Sequence, residues 1–386
     1  MQSFKHITPQ SRIFYGPDSL NHLRSELKHA HSRRALIFCD PFLVEEGVLL
    51  KKVQEEIGDL CVGIFSGIQP NSPLPMVEQG AEEIRRLNAD ALVVIGGGSS
   101  TVTARAAAIL AAENKDAHVL CTSRDAEGKL VSPKLLEPKI PLLIIPTTPI
   151  TAMVKAGASI LDAESNRQLA LFDPKTRGCA IFIHPDFVRS MPDRLLLSAC
   201  MSTLAATVDG LLSTSGDQMS DALLIHAMRL LTRNLADPAH LDDVDTRCEL
   251  MLATVLCGMG SDYTGFGISV VLGHAMCAHF PLNAGFLNGV TIPYTLRFNR
   301  SAVTGMEKLA VAMNIDSNCE GFADTVIDRI ETILKRLDIP HKLREVGMPH
   351  EKFSEVAASA MDDWYLHFNP VPVRAADLEE ILEQAW

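Results

Sequence analysis

The fold is decided by Ala91-Leu92-Val93-Val94-Ile95-Gly96-Gly97-Gly98-Ser99. Five apolar residues in a row, three of them β-branched, read as a strand buried on both faces, and such strands belong to parallel sheets covered by helices. Glycines end the strand, and the alanine-rich run from Thr103 to Ala112 follows as a helix. A strand, a glycine turn and a helix start bring backbone N–H groups and the positive end of the helix dipole together. Glycine permits positive φ and the close approach of an anionic group such as a phosphate. A tight turn that binds nothing would use the same glycines, and the spacing is neither G-x-G-x-x-G nor a Walker loop.

The same grammar recurs on either side. Ala35-Leu36-Ile37-Phe38-Cys39 reads as a buried strand ending at Asp40-Pro41, and Cys61-Val62-Gly63-Ile64-Phe65 as another, closed by Gln69-Pro70-Asn71-Ser72-Pro73. Met76 to Leu87 reads as an intervening helix. Pro141-Leu142-Leu143-Ile144-Ile145 repeats the strand signal and stops at Pro146-Thr147-Thr148. From Pro185 onward strand signals nearly vanish. Helical patterns cover 193–212, 221–234, 246–257, 306–313, 319–337 and 375–384, many acidic early and basic late, as the helix dipole favours. The sequence therefore predicts an α/β dinucleotide-binding domain over 1–183 and an all-helical domain over 184–386. A ligand is expected in the cleft between them, above the carboxyl ends of the strands.

With 386 residues the chain has room for two cores. Its 47% hydrophobic and 21% charged residues are ordinary globular values, and a formal charge of -12 speaks against nucleic acid as a partner. The nine cysteines are scattered with no C-x-x-C, so they read as reduced thiols of a cytoplasmic protein rather than a disulfide framework or zinc site. Met1-Gln2-Ser3-Phe4-Lys5-His6 lacks the apolar core of a signal peptide, and no window of about 18 uncharged apolar residues suggests a membrane span. Asp40, at a strand end, is well placed to accept hydrogen bonds from a ribose diol and to repel a 2'-phosphate, which favours NAD over NADP. An aspartate that merely opens the Asp40-Pro41 turn is the plainer alternative.

These segments together resemble the iron-dependent (group III) alcohol dehydrogenases, including their maleylacetate reductase branch. Phe14-Tyr15-Gly16 with Leu20 resembles that family's opening hairpin. Gln69–Pro73, Ile95–Ser99 and Pro146-Thr147-Thr148 match its nucleotide-binding segments in order, and Asn369-Pro370-Val371-Pro372 followed by Leu378 to Trp386 matches its C-terminal signature. The resemblance covers almost the whole chain. It implies a Rossmann-like α/β domain and an all-α domain, the dehydroquinate synthase-like fold, and an NAD(H)-linked oxidoreductase for a small alcohol or carbonyl. It also implies that Gly97, Gly98 and Ser99 contact the pyrophosphate, that Thr147 and Thr148 line the cofactor, and that Asp40 sets the dinucleotide preference. A homodimer through an edge strand at Ser11–Tyr15 is implied as well.

Members of that family hold a divalent metal with an Asp and a His four apart on one helix, plus two His fourteen apart further on. Pro192-Asp193-Arg194-Leu195 anchors the first segment, where the Asp and His positions are Ser202 and Ala206. Gly265-Phe266-Gly267, Asn288-Gly289-Val290, Pro293 and Phe298-Asn299 anchor the second, where the histidine positions are Val270 and Ala284. Three of the four side chains have no donor atom, so no bound metal is expected. Other positions differ too: Val102 stands for an Asp, Ile150–Val154 for a Gly-Ser-Glu, and Gln168, beside Arg167, for a lysine near the ribose.

His274 keeps the family's second histidine of His-Ala-x-Ala-His, which the resemblance places near the nicotinamide as a proton relay. An imidazole suits that task because it titrates near neutrality. His279, about 140° further round a helix, could reach the same cleft. Taken alone, either histidine reads as a satisfied structural residue. Lys155, Arg297 and Arg300 are candidates to orient an anionic substrate, or are solvated surface charges, and Ser202 is a candidate hydrogen-bond donor to substrate. Two competing readings are a metal enzyme with substitute ligands (His274 and His279 with Asp209 or Asp262) and a repurposed protein that keeps the fold as a non-redox enzyme or nucleotide-binding module.

Overall fold

The structure is a computed structural model and describes residues 3–125, 130–165 and 167–386. Met1 and Gln2 of the N-terminal stretch read above lie outside the described residues. The chain divides into two compact units, Pro9–Met191 and a helical unit made of Pro192–Trp386 together with the first residues of the chain.

In the first unit the strands are β1 (Arg12–Tyr15), β2 (Ala35–Cys39), β3 (Cys61–Phe65), β4 (Ala91–Gly96), the short pair β5 (Ser123–Arg124) and β6 (Leu130–Val131), β7 (Leu142–Pro146), β8 (Gly157–Asp162), β9 (Arg167–Phe172) and β10 (Gly178–Ile183). Six of them form one sheet in the order β1-β10-β7-β4-β2-β3, and every pair in it is parallel. The three continuous apolar runs β2, β4 and β7 lie side by side at its centre with every residue buried. That is the expected place for strands with no polar face. Helices α1 (Leu23–His29), α2 (Pro41–Glu46), α3 (Val48–Ile57), α4 (Leu74–Arg86), α5 (Gly98–Glu113), α6 (Ala117–Leu120) and α7 (Pro185–Arg189) complete the unit. Leu20, Leu23, Leu27, Val53 and Ile57 pack against Ile37, Val93 and Ile95 on one side of the sheet.

Three readings need correction. The opening segment is not a hairpin: Phe14 and Tyr15 pair in parallel with Phe182 and Ile183, and Gly16 (φ +102°) turns the chain away. Helix α5 begins at Gly98 rather than Thr103, because the glycine turn itself supplies its first residues. The first unit runs on to Met191, past residue 183, because Phe187 of α7 is fully buried in its core.

The second unit contains α8 (Asp193–Leu212), α9 (Gln218–Asn234), α10 (Val244–Gly260), α11 (Ile268–His279), α12 (Ala284–Phe298), α13 (Val303–Ala312), α14 (Phe322–Arg336), α15 (Phe353–Met361) and α16 (Ala375–Ala385), with no strand among its described residues. Residues 3–8 belong to it through His6 Nδ1 and Asp217 Oδ2 (2.9 Å) and through Ile7 N, which donates to the Tyr263 hydroxyl at 2.8 Å. Helix α8 is long and apolar enough to cross a membrane, but 83% of its apolar window is buried, so it is a core helix. All nine cysteines are free, and burial pushes the Cys39, Cys200 and Cys248 thiols up to about 12, far from a nucleophile's range.

Candidate active site

In the α/β unit the glycine loop is crowded on one side and open on the other. Gly96 has φ +143°, and a Cβ there would fall 2.2 Å from Ser100 Oγ and 3.3 Å from the Asp40 Cβ. A Cβ on Gly97 would lie 2.9 Å from Thr148 Oγ1, whereas one on Gly98 would meet only Ile150, at an ordinary 3.9 Å. The loop therefore brings Gly96, Gly97, Asp40, Ser100 and Thr148 together. Thr147 N donates to Gly96 O at 3.0 Å, locking the Thr-Thr segment to the loop. Ser99 O accepts from Ser72 Oγ (3.2 Å), which ties in the Gln69–Pro73 turn, where Asn71 and Ser72 have positive φ.

The first turn of α5 has no side-chain cap and no acidic residue. Its N–H groups lack intrahelical acceptors and carry the helix's positive end. The Ser100 hydroxyl, fully buried, has no hydrogen-bond partner. Buried hydroxyls are nearly always satisfied, so this one is consistent with a ligand that supplies the missing partner. Asp40 is half-buried and accepts from Phe42 N at 3.1 Å, so it caps α2 with one oxygen, as the plainer reading has it. Its other oxygen makes no hydrogen bond to a described residue.

Sequence reasoning misses Arg105, whose only signal is a lone charge in an alanine-rich run. It is completely buried on α5 and donates to three carbonyls, Ala152 O (2.6 Å), Gly157 O (2.9 Å) and Thr176 O (3.2 Å). Arg177 Nη1 donates to Val154 O at 2.6 Å. Two guanidinium groups thus hold the segment that follows Thr147-Thr148. Burial and the charge of Arg177 push Arg105 down to about 9. Lys155, half-buried, sits in that same segment, with its backbone N on Thr151 O at 3.2 Å.

In the helical unit one stripe of α8 organises the second group. Ser198, Ser202, Ala206 and Asp209 share a helix face by their spacing. At one end Ser198 Oγ donates to Asn283 Oδ1 at 2.6 Å, and Gly285 is so close that a Cβ would lie 1.9 Å from Ser198 O. At the other end Asp209 Oδ2 accepts from Gly267 N (3.0 Å) and Val270 N (2.9 Å). Ser202 and Ala206 fall between these anchors, about 6 Å of helix rise apart. Val270, in the first turn of α11, and Ala284, at the start of α12, flank the same stripe. Ser202 is half-buried, Ala206 and Val270 are buried and Ala284 is exposed. These four side chains offer one hydroxyl oxygen and no nitrogen, sulfur or carboxylate. Burial pushes the Asp209 carboxyl up to about 6 against the hydrogen bonds it accepts.

His274 lies one turn beyond Val270 on α11, half-exposed, with Nδ1 3.1 Å from Asp363 Oδ2. His279 does not join it: its Nδ1 pairs with Glu355 of α15 at 3.3 Å, because five residues turn the side chain to another helix face. Arg297 and Arg300 are likewise committed, to Glu331 and Asp324 of α14, so neither stands as an anion ligand. The substitute-ligand set does not assemble either. His274, His279 and Asp209 have separate partners, and no three His, Cys, Asp or Glu side chains gather as a ligand set among the described residues.

The family described as "Iron-containing alcohol dehydrogenase" matches residues 9–185, and "Fe-containing alcohol dehydrogenase family, C-terminal" matches residues 197–386. The chain is 28% identical to the lactaldehyde reductase of Escherichia coli (strain K12) over 380 residues, 97% of each protein. It is 27% identical to the NAD-dependent methanol dehydrogenase of Bacillus methanolicus over 389 residues, 98% of each. The crystal structure of 1,3-propanediol oxidoreductase superposes with a TM-score of 0.88 at 21% identity and covers 100% of both chains, which establishes the shared fold. The chain thus belongs to the iron-containing alcohol dehydrogenase family and is an oxidoreductase that interconverts alcohols and aldehydes.

Proposed function

We propose that this enzyme is an NAD(H)-linked reductase or dehydrogenase of a small carbonyl or alcohol that works without a bound metal, with His274 as its proton relay. One observation carries the reading. The four positions where the family resemblance puts metal ligands, Ser202, Ala206, Val270 and Ala284, present a single hydroxyl, while one turn beyond Val270 stands an imidazole in hydrogen-bond contact with a carboxylate. A divalent ion needs at least three nitrogen, sulfur or carboxylate donors, and this donor set does not fit one.

A dinucleotide does fit the other group. The open side of the loop at Gly98, the uncapped first turn of α5 and the orphan Ser100 hydroxyl suit a pyrophosphate. Asp40 would hold the ribose diol and disfavour a 2'-phosphate, and Thr147 and Thr148 would line the site. When bound, NADH supplies the hydride. His274 supplies the proton to the substrate oxygen, and Ser202 donates a hydrogen bond that orients it. Without a metal to polarise the carbonyl, such donors carry the electrostatic stabilisation of the developing alkoxide. The relatives named above act on small alcohols and aldehydes, and a keto acid whose carboxylate meets Lys155 belongs to the same range. A homodimer through the sheet edge at β1, where Ile13 and Tyr15 are exposed, completes the reading.

The test is calorimetric titration of EDTA-treated protein with NADH and NADPH, with metal content assayed on an untreated sample. NADH binding, turnover that survives EDTA and no stoichiometric metal are expected. Stoichiometric metal whose removal abolishes turnover would overturn the metal-free reading, and failure to bind either nucleotide would remove the cofactor assignment.

A further inference from the structure

We infer that Asp363 is the positioning residue of the proton relay: it holds His274 as the Nδ1–H tautomer and so reserves Nε2 for the substrate oxygen. This rests on the proposal that His274 relays the proton. Asp363 opens the 3-10 turn Trp364–Phe368 with its two oxygens divided between tasks. Oδ1 accepts from Tyr365 N at 2.9 Å and caps the turn, while Oδ2 faces His274 Nδ1 at 3.1 Å. Burial pushes the Asp363 carboxyl up, but the hydrogen bonds from His274 and Tyr365 N outweigh it and leave it below its ordinary value. At neutral pH it is therefore an acceptor only, and the nitrogen facing it must carry the proton.

The support is firm. Tyr365 packs edge-on against Phe266 at 4.8 Å, with its ring centroid 6.1 Å from that of His274. The turn ends on Asn369, whose buried amide exchanges two hydrogen bonds with Asn299, the residue that closes α12, at 2.9 and 3.0 Å. The turn that supplies Asp363 is thus fixed near both ends, by Phe266 just before α11 and by Asn299 just after α12. His274 Nε2 makes no hydrogen bond to a described residue. In oxidation its lone pair takes the hydroxyl proton as hydride leaves the carbinol carbon for the oxidised nicotinamide. In reduction the Nε2–H bond breaks and an O–H bond forms on the alkoxide, while the imidazolium keeps its Nδ1–H on Asp363. The same helix carries a contrasting pair. There the carboxylate is the more exposed partner: Glu355 is 47% accessible against 21% for Asp363, and it divides itself between His279 and Lys352 Nζ, which donates to it at 2.5 Å.

Two measurements on the full chain test this. The first is the tautomer of His274, read from two-dimensional nitrogen–proton spectra of histidine-labelled protein and assigned with His274→Ala. Nδ1–H is expected in the wild type and Nε2–H in Asp363→Asn, since asparagine keeps the cap on Tyr365 N but turns its NH2 toward Nδ1. An unchanged tautomer overturns the inference whatever the activity. The second is a double-mutant cycle with NADH and a panel of short aldehydes and keto acids. Asp363→Asn should lower kcat about 10–100-fold with little change in KM, and should cost nothing further in the His274→Ala background. Additive losses would mean that Asp363 acts elsewhere. Full activity in His274→Ala would instead sink the relay itself. Glu355→Gln should leave kcat unchanged.

Discussion

The carboxylate of Asp209 lies 2.9 Å from the backbone nitrogen of Val270 and 3.0 Å from that of Gly267, so one side chain of α8 holds the first turn of α11. Burial pushes this carboxyl up to about 6, whereas its value in the unfolded chain is near 4. The folded state therefore keeps the proton to higher pH than the unfolded one. The stabilisation is fully present below about pH 4 and is lost as pH rises through about 6. Denaturant unfolding between pH 4 and 7 should show the wild type losing up to about 3 kcal/mol relative to Asp209→Asn, whose amide cannot ionise. Parallel pH curves for the two proteins would show that Asp209 does not titrate in this range.

Asp40 caps α2 and is assigned to the ribose, so the two roles must be separated. Serine caps a helix about as well as aspartate but carries no charge. Asp40→Ser should leave the melting temperature almost unchanged and raise the ratio of NADPH to NADH affinity by at least about tenfold, since a buried-side repulsion of a 2'-phosphate is removed. An unchanged ratio in paired titrations would leave Asp40 as a turn residue only.

The glycine loop allows fold and ligand to be tested apart. Gly96→Ala forces a Cβ to 2.2 Å from Ser100 Oγ at φ +143°, and should cost at least about 1–3 kcal/mol of stability. Gly98→Ala meets only Ile150 at 3.9 Å, so the protein should melt as the wild type does. Its methyl group would nevertheless stand where the pyrophosphate is proposed to lie, and NADH affinity should fall about tenfold or more. Undiminished NADH binding by Gly98→Ala would place the phosphates elsewhere.

Arg105→Met should separate local order from global stability. It strands the buried Thr176 carbonyl, at about 1–3 kcal/mol, and the less buried carbonyls of Ala152 and Gly157 at less, but also removes a buried charge that costs several kcal/mol. With these effects opposed, the global unfolding midpoint should move little. Hydrogen exchange in segment 150–157 should accelerate, and NADH affinity should drop with it. Unaltered exchange in that segment would show that Arg177 suffices to hold it.

Much of this was legible in the sequence for reasons that are local. β2, β4 and β7 are continuous apolar runs with marked ends, and α8 runs over the same residues as its pattern, because its first-turn acid and leading Pro192 mark its start. The glycine loop is equally local, since strand, turn and helix start are consecutive. The β8–β9 hairpin was not legible: its inward residues Ala158 and Ile160, opposite Leu171 and Leu169, alternate over too short a span to stand out. Helix α11 carries apolar residues nearly all round because it is buried on most sides, so it has no amphipathic signature. The partners that give the site its chemistry are distant in sequence. Asp363 lies 89 residues from His274, and Gly157 lies 52 from the Arg105 that holds it. No local rule links such pairs. The same distance explains why Arg297 and His279 read as site residues from sequence and yet pair with α14 and α15.

The position of β1 at the sheet's edge has a consequence for how the chain is made. Among the described residues, Arg12–Tyr15 pair only with Ala180–Ile183, so this strand has no neighbour until the last strand of the sheet has been synthesised. Residues 3–8 wait longer still, for Asp217 and Tyr263. His6 and Ile7 therefore close loops of 211 and 256 residues, and closure entropy makes such contacts late. During translation Ile13 and Tyr15 travel with an unpaired strand edge, the kind of surface that chaperones bind and that aggregation exploits.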